Sequence, residues 1–359
     1  MFEGFAAEEV VTDDGSAFVC HDLRGRSADD DRPVVVLLHG HPRTSATWHR
    51  VAPLLAAAGH HVVCPHLRGY GRSRGPAPTP DHRAHSKRAA AGDVVQVLDA
   101  LGVDRCVLVG HDRGSCVALR LALDHPDRVS HLVLADCIPI SEHLDRITAD
   151  FAARWWHWFF YAQPGTPERV IAADPDAWYR IDAADPVAMG EENHAEWRAA
   201  MHDPDVVRAM VEDYRAGLAV DADDERADRA AGRTLAMPLL ALWSLQDDLE
   251  DLYGDVLAVW EPWAPDRTGF GVDSGHHIAE QAPEPSPPPS PASSLRADPR
   301  AGPALDADPR GASPEDGERD GLTARPLLGP DVASWGRAEQ VAARAEPGTR
   351  ASSQRVQSP

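Results

Sequence analysis

Positive charge is in short supply in this sequence: 35 Lys and Arg face 57 Asp and Glu, a formal net charge of −22 over 359 residues. Attraction to nucleic acid or to an anionic membrane depends on basic surface, so neither is an expected partner. An anionic substrate would have to be met by local arginines. No apolar run reaches the roughly 18 residues that a membrane span requires. The first residues, MFEGFAAEEV, carry acids where a signal peptide needs basic residues and a long apolar stretch. The reading is therefore neither export nor a membrane span, and a cytoplasmic location. Cysteines are few: Cys20, Cys64, Cys106, Cys116 and Cys137 form no CxxC pair, and three sit in apolar runs, which suggests reduced core thiols. The 18 histidines are scattered, and pairs such as His60-His61 lack a carboxylate or Cys partner at ligand spacing, so no metal and no cofactor are expected.

What is present is a 43% hydrophobic chain long enough for one large domain with an insertion. Short apolar runs alternate with helical patterns, the signature of a mostly parallel sheet covered by helices, an α/β fold. PVVVLLHG (Pro33 to Gly40), HVVCP (His61 to Pro65), CVLVGHD (Cys106 to Asp112), HLVLAD (His131 to Asp136) and PLLALW (Pro238 to Trp243) read as strands, with FGV the last. Trp48, Val51, Leu54 and Leu55 share one helix face that Gly59 ends; Val94, Val97, Leu98 and Leu101 form another, ended by Gly102. About a hundred residues between Asp136 and Pro238 have no strand-like run and predict an α-helical insertion over the sheet. The expected division is 1–139 core, 140–235 helical cap, 236–284 core, and 285–359 a Pro-rich tail with the composition of disorder.

The chemistry gathers around one acid. VLVGHDRGSCVALRLA (Val107 to Ala122) places Asp112 between a strand and a helix, flanked by Gly110 and Gly114: a nucleophile elbow with Asp where ester hydrolases carry Ser. The competing reading is an Asp that merely caps the helix. His39-Gly40-His41-Pro42 ends another strand, so the backbone N–H groups of His41 and Arg113 can form an oxyanion hole. SGHH (Ser274 to His277) offers a base, His276, to activate water. Asp136, at a strand end, is the acid expected to orient it, with Asp247 or Asp248 competing because they also follow a strand.

With these motifs in place, the chain resembles the fluoroacetate and haloacetate dehalogenases of the α/β-hydrolase fold. The similarity runs from roughly Val34 to Glu284 and is dense in HGHPRTSATWHRVAP, LRGYGRS, GHDRGSCVALRLALDHP, WWHWFFYAQP, VEDYRAG and SGHHIAEQAPE. The resemblance implies Asp112 as nucleophile, His276 as base and Asp136 as its partner. It further implies His157, Trp158 and Tyr214 as the groups that hold the departing halide, and Arg113 as a clamp on the substrate carboxylate. The partners are then a small-molecule substrate and water, and a second copy in a homodimer is the one protein partner entertained.

Two features depart from that pattern. The family carries a second arginine three residues after the first, where this chain has Cys116; Arg43 and Arg154 are candidate replacements. The fold ordinarily closes with an amphipathic helix after the histidine loop, but EQAPE runs into PSPPPSP, and Asp331 to Glu346 is the one later stretch with helical character. Two other readings compete. Epoxide hydrolysis uses the same nucleophile but needs lid tyrosines to protonate the ring, and Tyr214 alone argues for halide. A binding protein that has lost activity is the other.

Overall fold

The structure, a computed structural model, describes residues 2–23 and 33–283. The expectations for the tail from 285 onward, including Asp331 to Glu346, lie outside the described residues.

Continuous apolar runs make strands buried on both faces. Val34–Leu38 (β3), Val62–Pro65 (β4), Cys106–His111 (β5), Val129–Ala135 (β6), Leu239–Ser244 (β7) and Arg267–Val272 (β8) follow Ala6–Val11 (β1) and Ala17–Leu23 (β2). They form one eight-stranded sheet in the order β1-β2-β4-β3-β5-β6-β7-β8. From β4 to β8 every pairing is parallel. The side chains alternate between two cores: Val36, Leu38 and Leu108 enter one, while Val35, Leu37, Val107 and Val109 enter the other.

The antiparallel β1–β2 ribbon at the edge was not expected from the sequence. AAEEVV in β1 is exposed along nearly its whole length, so it carries no apolar alternation to betray it. The helix read across Trp48 to Gly59 is in fact two pieces, a 3₁₀ turn at Ser45–Trp48 and α1 at Val51–Ala57. Trp48, Val51 and Leu55 are buried as expected, but Leu54 is exposed, because the break at His49 and Arg50 rotates the face.

Helix α2 (Lys87–Ala100) starts at Ser86, whose hydroxyl accepts the Ala89 N–H. Helix α3 (Arg113–Asp124) is buried from its first residue to Leu123. Between β6 and β7 the chain forms only helical elements and loops, from Ile140 to Ala230. Among the described residues no helix is long and apolar enough to cross a membrane. All five cysteines are free and buried.

Because β5 to β8 run parallel, their C-terminal ends lie along one edge of the sheet, where open α/β sheets gather their chemistry. Asp112 follows β5, Asp136 follows β6, Asp247 lies three residues beyond β7 and His276 four residues beyond β8.

Candidate active site

Asp112 occupies a left-handed backbone conformation, φ 47° and ψ −118°, between β5 and α3. A non-glycine residue held there costs on the order of 1–3 kcal/mol, so its surroundings must impose it. They do so by close approach: a Cβ at Gly40 would lie 2.5 Å from Asp112 Oδ1, and one at Gly114 would collide with the carbonyls of Leu38 and His39. Asp112 does not cap α3 by the usual side-chain bond. Its Oδ1 instead accepts the His41 N–H at 2.7 Å, and the Arg113 N–H also points at the carboxylate. The two backbone donors expected to form an oxyanion hole are thus brought together.

The peptide that supplies the His41 N–H is gripped from its other side. Gly40 O faces His39 Nδ1 at 3.1 Å, and His39 Nε2 accepts the Leu67 N–H at 3.0 Å, so Nδ1 is the protonated nitrogen and donates to Gly40 O. Burial pushes His39 down to about 4, keeping it neutral in that tautomer.

His276 turns its two nitrogens to different partners. Nε2 lies 3.7 Å from Asp112 Oδ2, and Nδ1 lies 2.8 Å from Asp136 Oδ2. The sequence left Asp136, Asp247 and Asp248 open as acids. Asp247 Oδ2 is also 3.0 Å from Nδ1, whereas Asp248 accepts the Trp155 indole N–H at 2.7 Å and meets His276 through its charge. Burial works against the imidazolium, but hydrogen bonds to Asp136 and Asp247 outweigh it and hold His276 well above the usual histidine range. Burial raises the Asp112 carboxyl, against the lowering influence of His276 and Arg113.

The helical wall supplies His157, Trp158 and Tyr214. The aromatic run breaks at Trp155 into two short helices, Ala149–Arg154 and Trp156–Tyr161. The Tyr214 ring centroid lies 5.7 Å from that of His157, 5.9 Å from that of Trp158 and 5.1 Å from that of His41. Burial, reinforced by His276 and Arg113, pushes His157 down to about 3, so its imidazole is neutral with one N–H to donate. Among the described residues, none of the three polar groups at His157, Trp158 and Tyr214 has a protein hydrogen-bond partner. Tyr214 is not alone, contrary to the sequence reading: the Tyr161 ring stands 4.9 Å from it, with its hydroxyl accepting the Trp178 N–H.

Arg113 is only partly available as a clamp. Its Nε donates to Asp213 Oδ2 at 2.6 Å and its Nη2 to Asp213 O at 2.9 Å, while the guanidinium lies over the Tyr214 ring at 4.3 Å. Nη1 is buried with no hydrogen-bond partner among the described residues. Lys87, the chain's single lysine, ion-pairs the same Asp213 and also Asp221. This network was not readable from the sequence, since VEDYRAG gives no sign of which basic groups its aspartate meets.

Neither proposed replacement for the second clamp reaches the site. Arg43 is buried, but its Nε donates to Glu280 Oε1 at 3.0 Å, and Glu280 also accepts from Thr47 Oγ1 and Asn193 Nδ2. Arg154 is exposed and pairs with Asp150 and Asp251. Cys116 itself packs against Cys137, with the sulfurs 3.5 Å apart.

The fold and this arrangement match the family model described as alpha/beta hydrolase fold over residues 33–283, and the chain belongs to that family. It is 36% identical over 295 residues to a fluoroacetate dehalogenase of Burkholderia sp, covering 79% of this chain and 92% of that one. It is also 31% identical over 259 residues to a soluble epoxide hydrolase of Corynebacterium sp. (strain C12), covering 70% of this chain and 86% of that one. Among solved structures, one assigned to the alpha/beta hydrolases from Nostoc sp PCC 7120 superposes with a TM-score of 0.73 at 37% identity, covering 79% of this chain and 95% of its own. The protein is therefore a hydrolase-family enzyme with dehalogenase and epoxide hydrolase homologues.

Proposed function

We propose that the protein cleaves the carbon–halogen bond of a small haloacid-like substrate. The observation that carries this reading is the trio of neutral donors, His157, Trp158 and Tyr214, left without hydrogen-bond partners among the described residues, with Tyr214 close enough to Asp112 to feel its charge. A departing halide develops negative charge, and donors aimed at it stabilise the transition state more than the ground state. In this reading the helices between β6 and β7 are a cap that brings those donors over the nucleophile.

Asp112 Oδ2 attacks the sp³ carbon as the halide leaves with the bonding pair, giving an alkyl ester. Oδ1, already hydrogen-bonded to the His41 N–H, becomes the ester carbonyl. With the imidazolium proton lost to solvent, His276 Nε2 takes a proton from water, which adds to the ester carbonyl carbon; the tetrahedral oxyanion is held by the His41 and Arg113 N–H groups. Collapse breaks the bond between that carbon and Oδ2, the alcohol leaves with the proton from His276, and the Asp112 carboxyl loses the remaining proton of the added water to solvent. Arg113 Nη1 is the group available for a substrate carboxylate, and with Cys116 in place of a second arginine that recognition rests on one guanidinium nitrogen.

Epoxide hydrolysis is the second reading, favoured by Tyr161 standing beside Tyr214, since ring opening needs a phenol to protonate the departing oxygen. A panel of fluoro-, chloro- and bromoacetate, chloroacetamide and a small epoxide separates the two. The expected result is halide release from the acids, faster than from the amide. Diol formation from the epoxide with no halide release from any member would replace the first reading by the second.

A further inference from the structure

Two carboxylates, not one, face the proton-bearing side of His276: Asp136 Oδ2 at 2.8 Å and Asp247 Oδ2 at 3.0 Å from the same Nδ1. A single N–H cannot donate fully to both, and two carboxylates crowded together repel unless a cation or a shared proton lies between them. The arrangement is nevertheless built. Ser244, the last residue of β7, donates its N–H to Asp136 Oδ1 at 2.9 Å. Its Oγ accepts the Asp247 N–H at 3.1 Å and donates to Ser274 O, two residues before the base. One serine therefore fixes both acids and the loop that carries the histidine.

The two acids differ in their access to water. The Asp136 side chain is 1% exposed and that of Asp247 28% exposed. A charge on Asp136 lacks solvation from water, whereas Asp247 keeps part of its hydration, so negative charge is better tolerated on Asp247 than on Asp136. The titration directions agree. Burial, against the His276 hydrogen bond and reinforced by Asp247, pushes Asp136 up to about 7; at Asp247 burial is outweighed by the bond to His276 and the carboxyl is lowered.

We propose that Asp247 is a second positioning acid, sharing His276 Nδ1–H with Asp136 so that the general base is backed by a carboxylate pair. The proposal rests on the reading of His276 as the base for ester hydrolysis, but applies equally whether a haloacid or an epoxide alkylates Asp112. Among the described residues the titratable groups around the imidazole include Asp112, Asp136 and Asp247, the His111 and His277 rings centred 5.0 and 5.3 Å away, and, acting through their charge, Asp248, His157 and His41.

Replacing the sole acid of a nucleophile–His–acid triad by its amide costs about 10⁴-fold in turnover. With an acid pair, Asp136→Asn and Asp247→Asn should each cost less than about a hundredfold, and the double variant should approach the full 10⁴. Removing Asp247 also removes an anion that favours the imidazolium, so the acidic limb of the pH–rate profile should move to lower pH in Asp247→Asn. The downfield Nδ1–H proton resonance of the resting enzyme should shift in the same variant. An Asp247→Asn protein with wild-type pH profile, unshifted resonance and a rate within about twofold would overturn the proposal, whatever Asp136→Asn does. Failure of every substrate in the panel to alkylate Asp112 in His276→Ala would instead overturn the reaction assignment, and the resonance would still decide the acid pair.

Discussion

The two walls of the site, one on the sheet and one on the helices, are built on opposite principles. On the sheet side, Asp112, His276, Asp136 and the Gly40–His41 peptide each hold hydrogen bonds to one another or to neighbouring backbone. On the helical side, the donors of His157, Trp158 and Tyr214 are held in place by ring packing and bond to nothing in the described protein. A wired wall fixes geometry before substrate arrives; in the proposed reaction, the unwired wall keeps its donors for the charge that appears as the leaving group departs. The difference predicts that changes on the first wall act on all substrates alike, and that changes on the second depend on the leaving group.

The largest effect is expected at Asp112, the proposed nucleophile. Asp112→Asn should lower turnover by more than about a thousandfold for every substrate, because an amide is a very poor nucleophile towards carbon. Retention of a tenth of the rate would show that the wired wall does not carry the covalent step. A smaller, graded effect is expected at Trp158. Trp158→Phe should slow fluoroacetate by about 10²-fold, the usual loss for one donor at a developing anion, and bromoacetate by about tenfold or less, since bromide needs less help to leave. Equal losses for the two halides, measured by ion-selective release at saturating substrate, would erase the distinction between the walls.

How much of this could be read in the sequence follows the range of the interactions. The central strands and the elbow are local patterns, and apolar runs such as CVLVGH and the glycines around Asp112 announce them. The N-terminal ribbon escaped because β1 is exposed along nearly all of its length and shows no alternation. The site's longer-range wiring escaped for a different reason. Arg113 meets Asp213 across 100 residues, and Arg43 meets Glu280 across 237, and no spacing rule connects such partners. Arg43 therefore looked free to grip a substrate when it is a brace among the HGHP loop, the helix Glu191–Met201 and the histidine loop. The choice among Asp136, Asp247 and Asp248 was open because all three follow strand ends, and only the direction of each carboxylate separates the two that reach His276 Nδ1 from the one that bonds Trp155.

The two oxygens of Asp112 are not interchangeable: Oδ1 is held by the His41 N–H and Oδ2 faces His276. In water enriched in heavy oxygen, the first alcohol released should therefore carry the protein's own Oδ2, and the label should enter the carboxylate. Because Oδ1 stays in the grip of the His41 peptide, the incoming oxygen should occupy the attacking position. The second turnover should then deliver alcohol that is almost wholly labelled. A carboxylate free to rotate between turnovers would instead give a second product only half labelled, so the isotope pattern of successive turnovers reads out how firmly one backbone N–H holds one atom.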